Sequence, residues 1–133
     1  MASQLLCGFA KADITPQGFE KTLFLAGFAP ERRATGILDP IEARAICLEL
    51  NGREVVLASV DVIGILYPDI QDFKNRLRKE VMPGYKAKHP VIIVASTHNH
   101  NAPDTIGLWG KALLGKIPYK SGIDYGFMWL CRQ

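Results

Sequence analysis

The chain of 133 residues contains no run of about twenty apolar residues, the length that a bilayer-spanning helix requires. Its best candidate, residues 55–66, is interrupted by Asp61, so no transmembrane segment is expected. No basic segment precedes the short apolar run at the N-terminus, and Lys11 and Asp13 follow too soon for a secretory signal, which leaves the cytoplasm as the default compartment. Cysteine is scarce. Cys7, Cys47 and Cys131 are odd in number, far apart and never in a C-x-x-C spacing, which excludes a disulfide scaffold and a cysteine-rich zinc site. Buried free thiols in a reducing compartment are the expectation. A strong excess of one charge is also missing: 16 Lys+Arg against 13 Asp+Glu leave +3. The bases cluster only at residues 74–79 (KNRLRK) and at Lys86 and Lys88, which reads as a solvated helix face and its following loop rather than a nucleic-acid surface. Internal repeats and low-complexity segments are absent as well.

With 48% hydrophobic and 22% charged residues, the composition is that of a globular protein, and the length suits one domain or part of one. The apolar opening ends at Asp13-Ile14-Thr15-Pro16, a strand entering a turn. Residues 16–40 carry Gly18, Gly27, Pro30, Gly36 and Pro40, which break any regular element. A loop of that length is expected to cover a site. IEARAICLEL (residues 41–50) alternates in polarity, Asn51-Gly52 supplies a type I′ turn, and REVVLASVDVIGI returns as a second strand. That strand is almost wholly apolar beyond Glu54, as is VIIVAS (91–96), so both are expected to be buried on both faces. Between them, Pro68 opens a helix with Ile70, Phe73, Leu77 and Val81 at helical spacing, ended by Met82-Pro83-Gly84. Residues 121–133 have helical spacing too, with Ser121 as a cap and Ile123, Phe127 and Leu130 inward. The pattern predicts an α/β fold: a mixed β-sheet core with a β-hairpin and flanking helices. The apolar end WLCRQ, without a stop signal, is expected of a piece of something longer.

The chemistry is concentrated in STHNHNAPD, residues 96–104, directly after an apolar strand. In extended backbone, positions i and i+2 share a side, so His98 and His100 would project together at a strand end, where open α/β sheets gather their ligands. One imidazole could bind zinc while its neighbour acts on the substrate, or both could bind; two loop histidines without a metal are the plain alternative. His89, beside Pro90 in a lysine-rich turn, reads as an exposed loop residue. Asp61 either caps a turn or pairs with a buried base such as Arg44, or it lines a site at the strand end. The HxHxDH pattern of metallo-β-lactamases fails at Ala102, the long hairpin does not suit an amidohydrolase barrel, and no G-x-S-x-G elbow is present.

GFAKADITP (8–16), LAGF (25–28), DPIEARA (39–45), ASVDVIG (58–64) and above all STHNHNAPD resemble, in order and spacing, the neutral/alkaline non-lysosomal ceramidases in their N-terminal catalytic domain. The resemblance implies a zinc-dependent amidase that cleaves N-acylsphingosine-like lipids to fatty acid and sphingosine. It implies His98 as a zinc ligand and His100 as the catalytic histidine beside the metal that stabilises the reacting carbonyl. Asn99, Asn101 and Ala102 depart from the family's Thr, Ser and Gly, which alters the loop but removes no ligand. Residues 1–133 then correspond to the N-terminal portion of the catalytic domain, and the other zinc ligands (a second His, a Glu and a Tyr) would come from the remainder of that domain.

Overall fold

A computed structural model of the chain describes residues 3–17, 23–81 and 90–131. Strands β1 (Leu6–Asp13), β2 (Glu42–Leu50), β3 (Arg53–Val60) and β4 (Val91–Ser96) form one sheet in the order β1-β2-β3-β4. The hairpin falls where the polarity alternation and Asn51-Gly52 place it. Asn51 and Gly52 have φ of 53° and 73°, the positive values a type I′ turn demands. β1 pairs antiparallel with β2, and β4 lies parallel to β3. Parallel neighbours need a crossover, and helix α1 (Tyr67–Arg76) lies in it. Pro68 sits in its first turn, Asp69 follows there, and Lys74 and Arg76 lie in its last turn, matching the helix dipole. The helix widens into a π-helical turn at Leu77–Val81. The mixed sheet with its helices is the expected α/β arrangement. The expected stop at Met82-Pro83-Gly84, Lys86, Lys88 and His89 lie outside the described residues.

The core lies at the carboxyl end of β3 rather than over the middle of the sheet. Ile14, Ile41, Val60, Val62, Ala102 and Phe127 form it, with Ala43, Ile65 and Val94 against it. Two expectations are corrected here. The central strands are not buried on both faces: Phe9, Ile46, Leu57 and Ile93 stand in register on one face, all exposed, Phe9 at 90%. On the other face Ala10, Ala45, Ala58 and Val94 line, with Ile70 and Phe73, an open groove of about 360 Å³. An apolar run shows that a strand is fit for burial, not that its own stretch of chain supplies the cover. The thiols are likewise not buried, with Cys7 exposed and Cys47 and Cys131 half-buried, because the sheet that carries two of them is bare. Partial burial still pushes the Cys47 thiol above its ordinary pKa, helped by Glu54.

Beyond β4 the chain forms a small antiparallel hairpin, β5 (Ala112–Leu113) with β6 (Ile117–Pro118), and helix α2 (Tyr125–Leu130). The cap of α2 is Asp124, whose Oδ1 accepts from the Phe127 amide at 2.8 Å, not Ser121. Phe127 is buried and Ile123 half-buried, as their spacing suggests; the Leu130 side chain lies outside the described residues. No helix among the described residues is long and apolar enough to cross a membrane.

Candidate functional site

β3 and β4 end side by side, and the segments leaving their carboxyl ends are laced together by backbone. Thr97 donates its amide to Val60 O at 3.0 Å, and Asn99 to Val62 O at 3.2 Å. The strand ends at Ser96, so extended backbone does not align the histidines. Instead His98 adopts φ +62°, and the Asn99 Oδ1 accepts from the Asn101 amide at 2.7 Å, closing a tight turn. The turn still brings His98 and His100 together, with ring centroids 4.8 Å apart and an edge-to-face angle of 65°.

The two imidazoles are held in different ways. Nδ1 of His98 lies 2.9 Å from Ile63 O. A carbonyl only accepts, so the neutral ring carries its proton on Nδ1 and presents Nε2 as a free lone pair, the arrangement of a metal-ligating histidine. His100 has Nδ1 buried with no hydrogen-bond partner. A buried N–H without an acceptor would cost the full desolvation of that group, so the neutral ring keeps its proton on Nε2. One ring offers an acceptor, the other a donor.

His100 is packed by the long loop. A Cβ at Gly27 would collide with its ring, and Gly27 has φ +78°, so only glycine fits against it. Phe28 meets the ring edge-on at 4.9 Å while remaining 79% exposed. Arg32 ties loop and turn together. Its Nη1 donates to His100 O at 3.0 Å, Ala26 O at 3.2 Å and Gly27 O at 3.3 Å, its Nη2 donates to Asn101 Oδ1 at 2.9 Å, and its plane lies 5.0 Å from the Phe28 centroid. Sequence reading anticipated a site-covering loop but missed Arg32, for which a lone arginine among glycines and prolines gave no distinguishing signal.

The acids near the pair are structural. Asp61 accepts from Arg44 Nη1 at 3.0 Å and from the Glu42 amide at 3.0 Å, so the pairing alternative holds, although Arg44 is exposed rather than buried. Asp104 is wholly buried and accepts three amides: Ile106 at 3.0 Å, Gly107 at 2.7 Å and Trp109 at 2.9 Å. The Thr105 hydroxyl donates to Gly64 O, fastening the same loop to the end of β3. Among the described residues, no group of three or more His, Cys, Asp or Glu side chains is placed to hold a metal ion. His98 thus keeps an exposed ring with Nδ1 held by Ile63 O, and no three-donor group accompanies it among the described residues.

The chain is similar in structure to the neutral ceramidase from Pseudomonas aeruginosa, with 26% sequence identity and a TM-score of 0.63 over 84% of this chain. A ceramidase complexed with C2 matches with the same values. The fold is ceramidase-like, and the chain spans 17% of the length of these solved proteins. No family model matches the chain, and comparison with curated proteins gives no match.

Proposed function

We propose that this chain is the N-terminal portion of a zinc-dependent amide hydrolase of the ceramidase type, acting on a lipid-like amide. The observation that carries the reading is the pair of complementary tautomers: an exposed His98 with a free Nε2 lone pair, 4.8 Å between centroids from a His100 whose proton sits on Nε2. Likeness to the two ceramidases supports it. When bound, zinc would lower the pKa of a coordinated water toward about 7 and polarise the amide carbonyl. His98 contributes a ligand whose direction Ile63 O fixes. His100 donates to the oxygen on which charge develops, held in place by Gly27 and the Arg32 clamp. Phe28 gives the pair an apolar neighbour suited to an acyl chain.

The reading is tested in the protein extended through the missing ligands. His98→Ala loses most bound zinc together with turnover. His100→Ala keeps its zinc and loses about 10²–10³ in kcat, the usual cost of one donor to a developing oxyanion. Elemental analysis paired with kcat separates the two. Equal zinc loss in both variants would mean that both rings ligate, and the division of labour would be wrong.

A second reading has one observation in its favour, the lack of a three-donor group among the described residues. Under it the chain is a non-catalytic fragment or binding module that keeps the fold. A reading frame that continues beyond Gln133 into further His, Glu and Tyr ligands removes this alternative; a stop codon there establishes it.

A further inference from the structure

The hairpin of β5 and β6 presents apolar side chains to solvent where a stable surface turn would not. Leu113, Leu114, Ile117 and Tyr119 are all exposed, Leu114 at 86%. Leu114 also has φ +53°, a left-handed conformation that a bulky side chain adopts only under strain. Glycine, asparagine or aspartate would satisfy that turn better, so stability does not explain a leucine there; strained residues of this kind point to function. Charge is equally one-sided. Lys111, Lys116 and Lys120 belong to the hairpin, and no acidic residue occurs from Thr105 to Ile123.

We infer that the β5–β6 hairpin is a docking surface for a lipid bilayer bearing anionic headgroups, with Leu113, Leu114 and Ile117 entering the interface and the lysines facing phosphates. Apolar tips backed by cations have this affinity, each surface lysine strengthening binding about fivefold near an anionic leaflet. The exposed sheet face is a different surface, since its charges are ion pairs of both signs: Lys11 with Glu42, and Arg44 with Glu42 and Asp61. The hairpin is joined to the histidine pair through one residue. Glu31 donates its amide to the Trp109 and Gly110 carbonyls and accepts the Ala112 amide on Oε1 at 2.7 Å. It lies next to Arg32 in the loop that packs His100. Docking goes beyond the hydrolase reading and stands whether or not zinc is held; together they would place a lipid amide and the histidines at one interface.

The test is co-sedimentation of the 133-residue chain with vesicles of phosphatidylcholine alone, or of three parts phosphatidylcholine to one part phosphatidylserine. The intact chain pellets with the anionic vesicles and far less with the neutral ones. Leu114→Gly relieves the strained turn, so it keeps or raises the thermal midpoint, yet binds the anionic vesicles about tenfold more weakly. Replacing Lys111, Lys116 and Lys120 with Gln removes the preference for phosphatidylserine. Phe9→Ser, on the sheet face, leaves vesicle binding unchanged. Failure of the intact chain to bind, equal binding by the hairpin variants, or loss of binding in Phe9→Ser overturns the inference. So does a hairpin that drives self-association without vesicles, which would make its partner a second copy. None of these outcomes touches zinc content, so the hydrolase reading is judged separately.

Discussion

The carboxyl end of β3 and the middle of the sheet are built on opposite plans. At the carboxyl end, loops carry the structure: Asp104 gathers three amides, Arg32 holds three carbonyls and an amide side chain, and Thr105 pins the chain to Gly64. Over the middle of the sheet, where strands usually form a core, Phe9, Leu57 and Ile93 face solvent. The sheet has satisfied its backbone while leaving the side chains of one face bare, whereas the segments around the histidine turn are closed by side-chain hydrogen bonds to backbone. Order in this chain follows polar closure around the histidine turn, and the bare sheet is a surface that asks for a covering layer, as patches of this kind usually do.

The largest blow to that contrast is expected from Asp104→Ala. Three partly buried amides would lose their wholly buried acceptor at once, and stability falls by about 3–5 kcal/mol, read from denaturant melts. A loss under about 1 kcal/mol would show that the loop is held by something other than its carboxylate. Gly27→Ala comes next. The new methyl meets the His100 ring at a positive φ, so we expect about 2–3 kcal/mol and a displaced His100 resonance in proton–carbon spectra, with the His98 resonance nearly unmoved. If both histidine signals stay in place, the loop does not hold His100.

On the bare side the expectation reverses. Phe9→Ser changes stability by no more than about 0.5 kcal/mol, since nothing packs on the ring. It does reduce self-association of the 133-residue chain in sedimentation velocity; an intact chain that is already a monodisperse, cooperatively melting monomer would refute the need for a cover. The smallest effect belongs to Glu42. The Lys11 ammonium that donates to it, with Arg44 beside it, holds its carboxyl below the ordinary 4.5. A depressed folded-state pKa contributes stability that is present above the unfolded value and lost as pH falls through the folded one. Glu42→Gln should therefore lower the thermal midpoint slightly at neutral pH and flatten its acid limb, the two proteins converging once pH falls below the folded-state value. High salt should shrink the difference further.

The hairpin, α1 and the site's address were legible because each rests on local chemistry: alternation plus Asn-Gly, proline plus helical spacing, and histidines after an apolar strand. What escaped was non-local. The two-residue strands β5 and β6 are too short to show a period, and Ser121 and Asp124 are both good caps, so only packing of Phe127 decided between them. The histidines were expected to align as strand neighbours, and they meet through a turn instead. Burial of β3 and β4 was overestimated because hydrophobicity records the destination of a strand, not the length of chain that covers it. Arg32 has partners 5 to 69 positions away. No window along the sequence joins them.

That separation has a consequence for how the molecule forms. Arg32 meets the His100 carbonyl across 68 positions, whereas the β2–β3 hairpin closes over two. Closure entropy grows with the span to be joined, and contacts of long range are made late. The histidine turn is thus assembled after the strands that aim it, and the guanidinium acts as the last latch. During synthesis, about seventy residues must emerge after Arg32 before the latch can fasten, at a pace of roughly 5–20 residues per second. For those seconds the loop carrying Gly27 and Phe28 lacks its hold on His100 and Asn101, which makes it the stretch where a protease would cut a nascent chain and spare a finished one.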